Sequence, residues 1–160
     1  MKTFQFTTQQ FVPQPLSAVF PFFERPENLA AITPSWLGLR ITTASPIQMR
    51  EGTVIEYSIK VMGIRIGWKS RISEYDPPRA FVDEQLKGPY SFWHHTHRFL
   101  EVDGGTLLAD EIRYGMPFGI VGQIVHRLVV RKQLQSIFHY RAQAIERMFG
   151  HAEPVAHMAK

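Results

Sequence analysis

Short apolar segments bounded by turn residues occupy most of the first two thirds of the chain, the pattern of β-strands joined by tight turns. The first of them alternates Phe4 and Phe6 with polar neighbours. Predicted strands cover residues 2–12, 39–43, 53–61, 64–75, 80–86, 91–102 and 106–116. Between the first two strands, residues 16–23 and 27–32 are predicted to form short helices, separated by Arg25-Pro26.

The apolar period changes after Pro117-Phe118-Gly119, and residues 120–149 are predicted to form one long helix. Short links between the preceding strands imply an antiparallel meander. A sheet with one apolar face must cover it, and the last helix is the only large element in the predicted order that does so. We therefore predict an α+β fold, with a curved sheet of six to seven strands around the C-terminal helix. One domain over residues 1–150 and a flexible polar tail over residues 151–160 are expected.

The predicted terminal helix carries two apolar stripes. At about 100° per residue they differ in direction by roughly a quarter turn or more. The first consists of Ile120, Val121, Ile124, Val125 and Leu128, and the second of Leu134, Ile137, Phe138, Ile145, Met148 and Phe149. A bent helix that follows a twisted sheet explains the change. The alternative is that the first half, with Gly119 and Gly122 near its start, lies loosely over a cavity mouth as a gate.

The turns also predict which residues are neighbours across the sheet, since a hairpin loop sets the register of its strands. The predicted pairs are Tyr57–Ser70, Ser70–Glu84, Glu84–Trp93, Trp93–Tyr114, His95–Ile112 and His97–Asp110. One face then holds Ile55, Tyr57, Ile59, Trp68, Ser70, Ile72, Val82, Glu84, Leu86, Trp93, His95, His97, Phe99, Asp110, Ile112 and Tyr114. The other face holds Glu56, Lys60, Lys69, Arg71, Asp83, His94, Arg98, Glu111 and Arg113, which are expected in water.

The first face is apolar and aromatic but includes ionisable groups, which are costly to bury without partners. Apolar walls with a few convergent polar groups are typical of a ligand pocket. The predicted ligand-binding residues are Tyr57, Trp68, Ser70, Glu84, Trp93, His95, His97, Phe99, Asp110, Ile112, Tyr114, Ile124 and Leu128. The catalytic candidates are His95, His97, Glu84 and Asp110, because burial shifts the pKa of such groups toward neutrality.

The His94-His95-Thr96-His97 segment permits several interpretations. Along a strand, His95 and His97 project on one side, roughly 7 Å apart, and His94 points away. Either His97 forms a hydrogen bond to Asp110 and both histidines only satisfy buried polarity, or the pair recognises a ligand, or it chelates zinc with Glu84 or Asp110 as a third ligand. Because an H-x-H spacing alone is weak evidence for a metal, we predict neither a metal nor a cofactor.

Composition narrows the class of protein. The 160 residues are 44% hydrophobic and 20% charged, as in globular domains, and 12 of them are Phe. With no cysteine, disulfides, thiolate metal sites and cysteine nucleophiles are excluded. The net charge is +4, but the basic residues are scattered, so no nucleic-acid partner is expected. With no signal-peptide pattern and no apolar run of about 18 residues, we predict a cytoplasmic protein without an integral membrane segment, as a monomer or a homodimer.

Several segments, taken with the order of elements, resemble the START-like SRPBCC superfamily, whose helix-grip members include plant pollen allergens and aromatase/cyclases. The segments are residues 20–29 (FPFFERPENL), 68–72 (WKSRI), 88–90 (GPY), 93–99 (WHHTHRF) and 110–119 (DEIRYGMPFG). More narrowly, the chain is similar to small bacterial SRPBCC proteins described as ligand-binding. The resemblance implies a helix-grip fold with a deep cavity between sheet and C-terminal helix, used for lipids, polyketides, sterols or other apolar molecules.

These observations favour a protein that binds a small hydrophobic or aromatic molecule without transforming it. The alternative is an enzyme resembling polyketide cyclases and dehydratases, with cavity His and Glu side chains as general acid and base. A second alternative is a protein-interaction or stress module in which the cavity is incidental.

Overall fold

Seven antiparallel strands form one sheet in the order β1-β7-β6-β5-β4-β3-β2. The computed structural model describes residues 2–151. The strands are β1 (Thr3–Val12), β2 (Arg40–Ile41), β3 (Val54–Val61), β4 (Ile64–Asp76), β5 (Ala80–Lys87), β6 (Phe92–Val102) and β7 (Gly105–Gly115). Each predicted strand is present, which confirms the α+β helix-grip fold. Of the predicted tail, only His151 falls within the described residues.

The helices fall into two groups. Helix α1 (Leu16–Phe23) and two 3₁₀ segments, Pro26–Ile32 and Ser35–Leu37, connect β1 to β2. After β7 come α2 (Gly119–Val125), a π-helical segment (His126–Val130) and α3 (Arg131–Phe149). His126 and Arg131 at the two junctions keep right-handed helical backbone angles, so residues 119–149 form one continuous C-terminal helix. Within residues 2–151, no helix combines the length and the apolar character that a bilayer crossing requires.

The π-helical segment explains why the apolar stripe of the C-terminal helix changes direction. A π turn contains more residues than an α turn, so the side chains that follow it are rotated about the helix axis. The segment ends at Val130, immediately before Arg131-Lys132-Gln133, where the sequence pattern changes. The single predicted helix is therefore present, and the π segment supplies the rotation between its two halves.

The sheet and the C-terminal helix enclose two apolar clusters. One lies against α1 and contains Val12, Val19, Phe20, Ile32, Phe81, Phe99, Leu108, Ala144 and Ile145. The second, which we call the aromatic cluster, contains Ile59, Trp68, Trp93, Ile112, Tyr114, Val130 and Leu134. Residues from α3 belong to both clusters, so this helix is anchored along its length.

The pairing of β5 with its neighbours differs from the prediction. Ile72 of β4 pairs with Asp83 and Glu74 pairs with Val82, which leaves Ser73 as an extra residue in a β-bulge. On the other side of β5, Glu84 pairs with His94. The predicted Ser70–Glu84 and Glu84–Trp93 pairs are therefore each wrong by one residue, and a one-residue slip moves every side chain to the opposite face.

The slip exchanges the two acidic residues of β5. Glu84, predicted on the cavity face, lies on the other face, where its carboxylate is 3.1 Å from Arg71 Nη2 and 3.2 Å from His94 Nδ1. Val82 shares that face with Glu84, and Leu86 is exposed. Asp83, predicted in water, lies on the cavity face with 17% of its side chain exposed.

The other registers keep the predicted faces. Tyr57 pairs with Trp68 instead of Ser70, a shift of two residues, and both positions share one face. The pairs Trp93–Tyr114, His95–Ile112 and His97–Asp110 between β6 and β7 are confirmed. The β6–β7 register therefore brings His97 and Asp110 side by side, as predicted.

Candidate ligand-binding cavity

A cavity of about 440 Å³ lies between the concave face of the sheet and the C-terminal helix. Sites for small molecules typically measure about 300–1,000 Å³. Strands β3 to β7 supply one wall, and the 3₁₀ segment Pro26–Ile32 and the C-terminal helix supply the other. Most of the lining side chains are aliphatic or aromatic, so the cavity suits an apolar molecule.

Aromatic rings form one end of the cavity. Trp68 and Trp93 meet edge to face, with ring centroids 5.2 Å apart. Tyr90 packs on Trp93 at 4.9 Å and Tyr57 stacks on Trp68 at 5.7 Å. The Nε1–H of Trp68 donates to Ser70 Oγ at 3.0 Å, and the Tyr57 hydroxyl lies 3.4 Å from the same oxygen. Burial, followed by the charge of Asp83, raises the pKa of Tyr57, so its hydroxyl stays protonated and can donate to a ligand.

A cluster of two histidines and two aspartates interrupts the apolar wall. His95 and His97 are both buried on β6, with ring centroids 3.7 Å apart. Asp83 Oδ2 lies 2.8 Å from His97 Nε2 and 3.5 Å from His95 Nδ1. On the opposite side, Asp110 Oδ1 lies 2.7 Å from His95 Nε2 and 3.1 Å from His97 Nδ1. The two imidazoles are thus held between two carboxylates, and we call these four residues the His–Asp cluster.

Arg141 completes the charge balance behind the cluster. This buried residue of α3 places Nη1 3.7 Å from Asp110 Oδ1, and its guanidinium lies over the ring of Phe138 at 5.3 Å. Although burial opposes ionisation, the charge of Arg141 and hydrogen bonds from both histidines hold the pKa of Asp110 well below its usual range. Asp110 is therefore a fixed anion that orients both imidazoles.

The two histidines differ in how readily they accept a proton. Burial and the neighbouring His97 lower the pKa of His95. Burial would also lower the pKa of His97, but hydrogen bonds to Asp110 and Asp83 outweigh it and raise that pKa. For Asp83, burial opposes ionisation, whereas the hydrogen bond from His97 and nearby positive charges lower the pKa. Adjacent groups with displaced pKa values are a common property of acid–base sites.

The structure brings about half of the predicted ligand-binding residues to the cavity. The residues that line it are Tyr57, Trp68, Ser70, Trp93, His95, His97 and Ile112. Asp110 lies behind the histidines, and Phe99 belongs to the cluster against α1. Tyr114 is buried in the aromatic cluster, where burial raises its pKa to about 12. Glu84 lies on the other face of the sheet, and Ile124 and Leu128, which are 55% and 63% exposed, are not among the lining residues, so these three predicted placements are wrong.

Asp83, Tyr90 and Arg141 are among the polar lining residues that the sequence interpretation missed. The sequence pattern did not place Asp83 on the cavity face, because the face of this residue depends on the bulge at Ser73. Tyr90 gave no signal, because it lies in the predicted turn after Gly88-Pro89, where no strand pattern assigns it a face. Arg141 did give a signal, because it continues the stripe of Leu134 and Phe138 at helical spacing. An arginine within an apolar stripe indicates a buried charge that needs a partner.

The mouth of the cavity is lined by exposed apolar residues. Phe118 and Val121, beside and within α2, and Met62, at the tip of the β3–β4 hairpin, line the cavity and are also exposed to solvent. Gly122 is buried where α2 crosses the chain before it, and a Cβ there would overlap the carbonyl oxygen of Pro117. The first half of the helix thus forms one lip of the opening.

His126 holds this lip to the sheet. Its ring stacks on Phe4 with centroids 3.5 Å apart, and its Nε2 lies 2.8 Å from the hydroxyl of Tyr114. Burial and the charges of Arg131, Lys2 and Arg127 lower the pKa of His126. The neutral imidazole is therefore the form that fits this contact.

Comparison with known proteins gives a match in structure alone. No protein-family model and no curated protein matches the sequence. A protein from Thermus thermophilus, TTHA0849, superposes with a TM-score of 0.70 at 19% identity, over 89% of this chain and 94% of that one. Ginseng major latex-like protein 151 from Panax ginseng superposes with a TM-score of 0.67 at 12% identity, over 92% of this chain and 97% of that one. Zhui aromatase/cyclase from Streptomyces sp. R1128 superposes with a TM-score of 0.65 at 17% identity, over 92% of this chain and 96% of that one. At these identities the similarity shows the helix-grip fold, which the sequence resemblance predicted.

Proposed function

We propose that this chain, which has the helix-grip fold of the START-like SRPBCC proteins, binds one small hydrophobic or aromatic molecule that carries a polar group. The observation that carries the proposal is the cavity of about 440 Å³, whose apolar walls are interrupted by the His–Asp cluster. A cytoplasmic location remains part of the proposal.

The chemistry of the walls indicates what the ligand looks like. Each Å² of apolar surface removed from water contributes about 25 cal/mol, so an apolar molecule gains affinity from these walls. Trp68 and Trp93 present a right-angled pair of rings against which a planar ligand packs. At the polar side, the cluster of His95, His97 and Asp83 offers both donors and acceptors to a hydroxyl or carbonyl group. The proposed ligand is therefore a mostly apolar, preferably planar molecule with an oxygen at one end.

The His–Asp cluster also supports a second candidate, an enzyme resembling polyketide cyclases and dehydratases. One structural neighbour is named an aromatase/cyclase, which raises the same possibility for this chain. The pKa values of His95 and His97 are displaced in opposite directions at the cavity wall, which suits one to accept a proton and the other to donate one. Glu84, which the sequence suggested for this role, lies on the other face of the sheet and is therefore not a candidate acid or base in the cavity.

Native mass spectrometry of the freshly purified protein tests the binding proposal. We expect an adduct that is released when the protein is denatured. A naphthalene-sulfonate dye whose fluorescence rises in apolar sites provides a second assay, in which Ile137→Trp should abolish the fluorescence. Ile137 lines the cavity from α3, so a larger ring there fills it. The control is Leu100→Trp, at an exposed position of β6 outside the lining.

Two outcomes decide between the candidates. A protein that carries no adduct and binds no member of a lipid and aromatic library refutes the binding proposal and favours an incidental cavity. If bound library molecules are converted to new products and His97→Gln stops the conversion while binding persists, the enzyme is the correct candidate.

A further inference from the structure

We propose that His95, His97 and Asp83 form a site for one divalent transition-metal ion, Zn²⁺ or Fe²⁺, in the wall of the cavity. This proposal does not depend on the organic ligand, because the three side chains come from the protein alone. The sequence interpretation considered Glu84 or Asp110 as the third ligand. The structure supplies Asp83 instead.

The spacing of the three ligand atoms suits a metal. His95 Nδ1, His97 Nε2 and Asp83 Oδ2 all lie within 4.8 Å of one another. Bonds of about 2.0–2.2 Å in a tetrahedral site put ligand atoms about 3.3–3.5 Å apart. The distance of 3.5 Å from His95 Nδ1 to Asp83 Oδ2 already matches that spacing. The 2.8 Å from His97 Nε2 to the same oxygen widens by about 0.5 Å to reach it, which a rotation of the Asp83 carboxylate provides.

The arrangement around Asp110 turns the correct ring nitrogens toward the site. The other nitrogens, His95 Nε2 and His97 Nδ1, lie 2.7 and 3.1 Å from Asp110 Oδ1 and donate to it. Carboxylates that accept from the far nitrogen of a histidine are the usual support of metal-bound imidazoles, because they fix ring orientation and tautomer. When both N–H groups point to Asp110, the lone pairs of His95 Nδ1 and His97 Nε2 and a carboxylate oxygen of Asp83 converge on one point, where a metal ion would replace the hydrogen bond from His97 to Asp83.

The two sides of the histidine pair differ in a way that places this cation beside Asp83. Arg141 lies 3.7 Å from Asp110 and already compensates its charge, whereas no lysine or arginine is among the ion-pair partners of Asp83 within residues 2–151. Asp83, His95 and His97 line the cavity, and Asp110 does not. The fourth coordination position therefore opens into the cavity, as in catalytic metal sites with three protein ligands.

The donor set narrows the choice of metal and of ligand. Two imidazoles and one carboxylate bind zinc in metallohydrolases and ferrous iron in non-haem oxygenases. A divalent ion with one bound carboxylate keeps a net positive charge, which favours an anionic oxygen such as hydroxide, phenolate or carboxylate as the fourth ligand. A planar apolar molecule with an acidic oxygen would satisfy both the metal and the aromatic walls.

Metal titration of the untagged protein, first treated with a chelator, tests the proposal. With Co²⁺ as probe, we expect visible d–d absorption that saturates at one ion per chain, and its loss when Zn²⁺ is added. Asp83→Asn and His95→Ala should weaken Co²⁺ affinity by at least about 100-fold, and Asp110→Asn by about 10–100-fold, as for a residue that supports the ligands. His94→Ala is the matched control with unchanged affinity, since His94 lies on the other face with Glu84.

Two controls distinguish a loss of metal binding from unfolding and from a loss of organic-ligand binding. Asp83→Asn keeps the shape of the side chain, and circular dichroism establishes that each variant is folded. Ile137→Trp should lose the naphthalene dye and keep the Co²⁺ spectrum, so either proposal can fail without the other. The metal site is refuted if folded protein binds neither Co²⁺, Zn²⁺ nor Fe²⁺ stoichiometrically. It is refuted equally if His94→Ala weakens Co²⁺ binding as much as His95→Ala does.

Discussion

The two halves of the C-terminal helix are both rich in apolar residues but lie in opposite environments. In α3, Leu134 and Ile145 are 4% and 2% exposed and pack in the two apolar clusters. In α2, Ile120 is 76% exposed and Ile124 also faces solvent. The difference shows that apolar sequence alone does not decide burial. The rotation introduced by the π-helical segment turns one stripe into the core and the other toward the cavity mouth.

The contrast has a thermodynamic consequence. Parts of a protein with few buried apolar contacts open with a smaller free energy than its core. In this half, Gly122 of α2 approaches Pro117 and the Cβ of Met116 closely, and His126 of the adjoining π-helical segment packs against Phe4 and Tyr114. We therefore expect α2 to open over the cavity while α3 stays folded, which is the gate considered from the sequence.

Two leucines, Leu128 in the π-helical segment that follows α2 and Leu134 in α3, give the largest expected effect. Leu134→Ala should lower the free energy of unfolding by about 2–5 kcal/mol, because it removes buried methyl groups from the aromatic cluster. Leu128→Ala should change it by no more than about 0.5 kcal/mol, because Leu128 is exposed. Urea unfolding curves with equal slopes measure both. Equal losses for the two variants would contradict the contrast between the halves.

Hydrogen exchange tests the difference directly and without substitutions. Amides of residues 120–130 should exchange at least about 100-fold faster than those of residues 134–148, which corresponds to an opening free energy lower by roughly 2.7 kcal/mol. Ligand bound in the cavity should slow the first group more than the second. Equally slow exchange in both segments would rule out a gate and leave a helix that is only rotated.

The fold was predictable because its signals are local. The Asp103-Gly104 turn sets the register of β6 and β7, with Val102 paired to Gly105, and this register correctly placed His95, His97 and Asp110. The Met62-Gly63 turn likewise makes β3 and β4 neighbours, whereas no turn connects β1 to its neighbour β7. Where a two-residue turn connects two strands, the sequence determines which faces meet.

The candidate site was predictable only in part, because one wall of it depends on an irregularity. The bulge at Ser73 and the loop after β5 each shift a register by one residue, and neither has a sequence signature. The shift replaced Glu84 by Asp83 at the cavity wall. The exposure of Ile124 and Leu128 depends on the π-helical segment, which an ideal period of 3.6 residues does not represent.

Acidification gives the smallest effect, and His126 directs it to the first half of the C-terminal helix. The pKa of His126 is lowered in the folded protein, so the contact of the neutral ring with Phe4 and Tyr114 contributes its full stability above the ordinary histidine pKa of about 6.5. As the pH falls through that value toward the lower folded value, the unfolded or detached helix binds the proton more readily and the contribution is lost.

Lys2, Arg127 and Arg131 add to the effect, since their positive charges disfavour the imidazolium. Exchange of amides in residues 119–130, corrected for the intrinsic rate, should therefore be faster at pH 5.5 than at pH 7.5, while that of α3 amides near Ile145 changes less. His126→Phe keeps a ring against Phe4 but cannot be protonated, so it should remove the pH dependence of α2. If the wild type and His126→Phe respond identically, another group controls the lip, and His126 contributes packing alone.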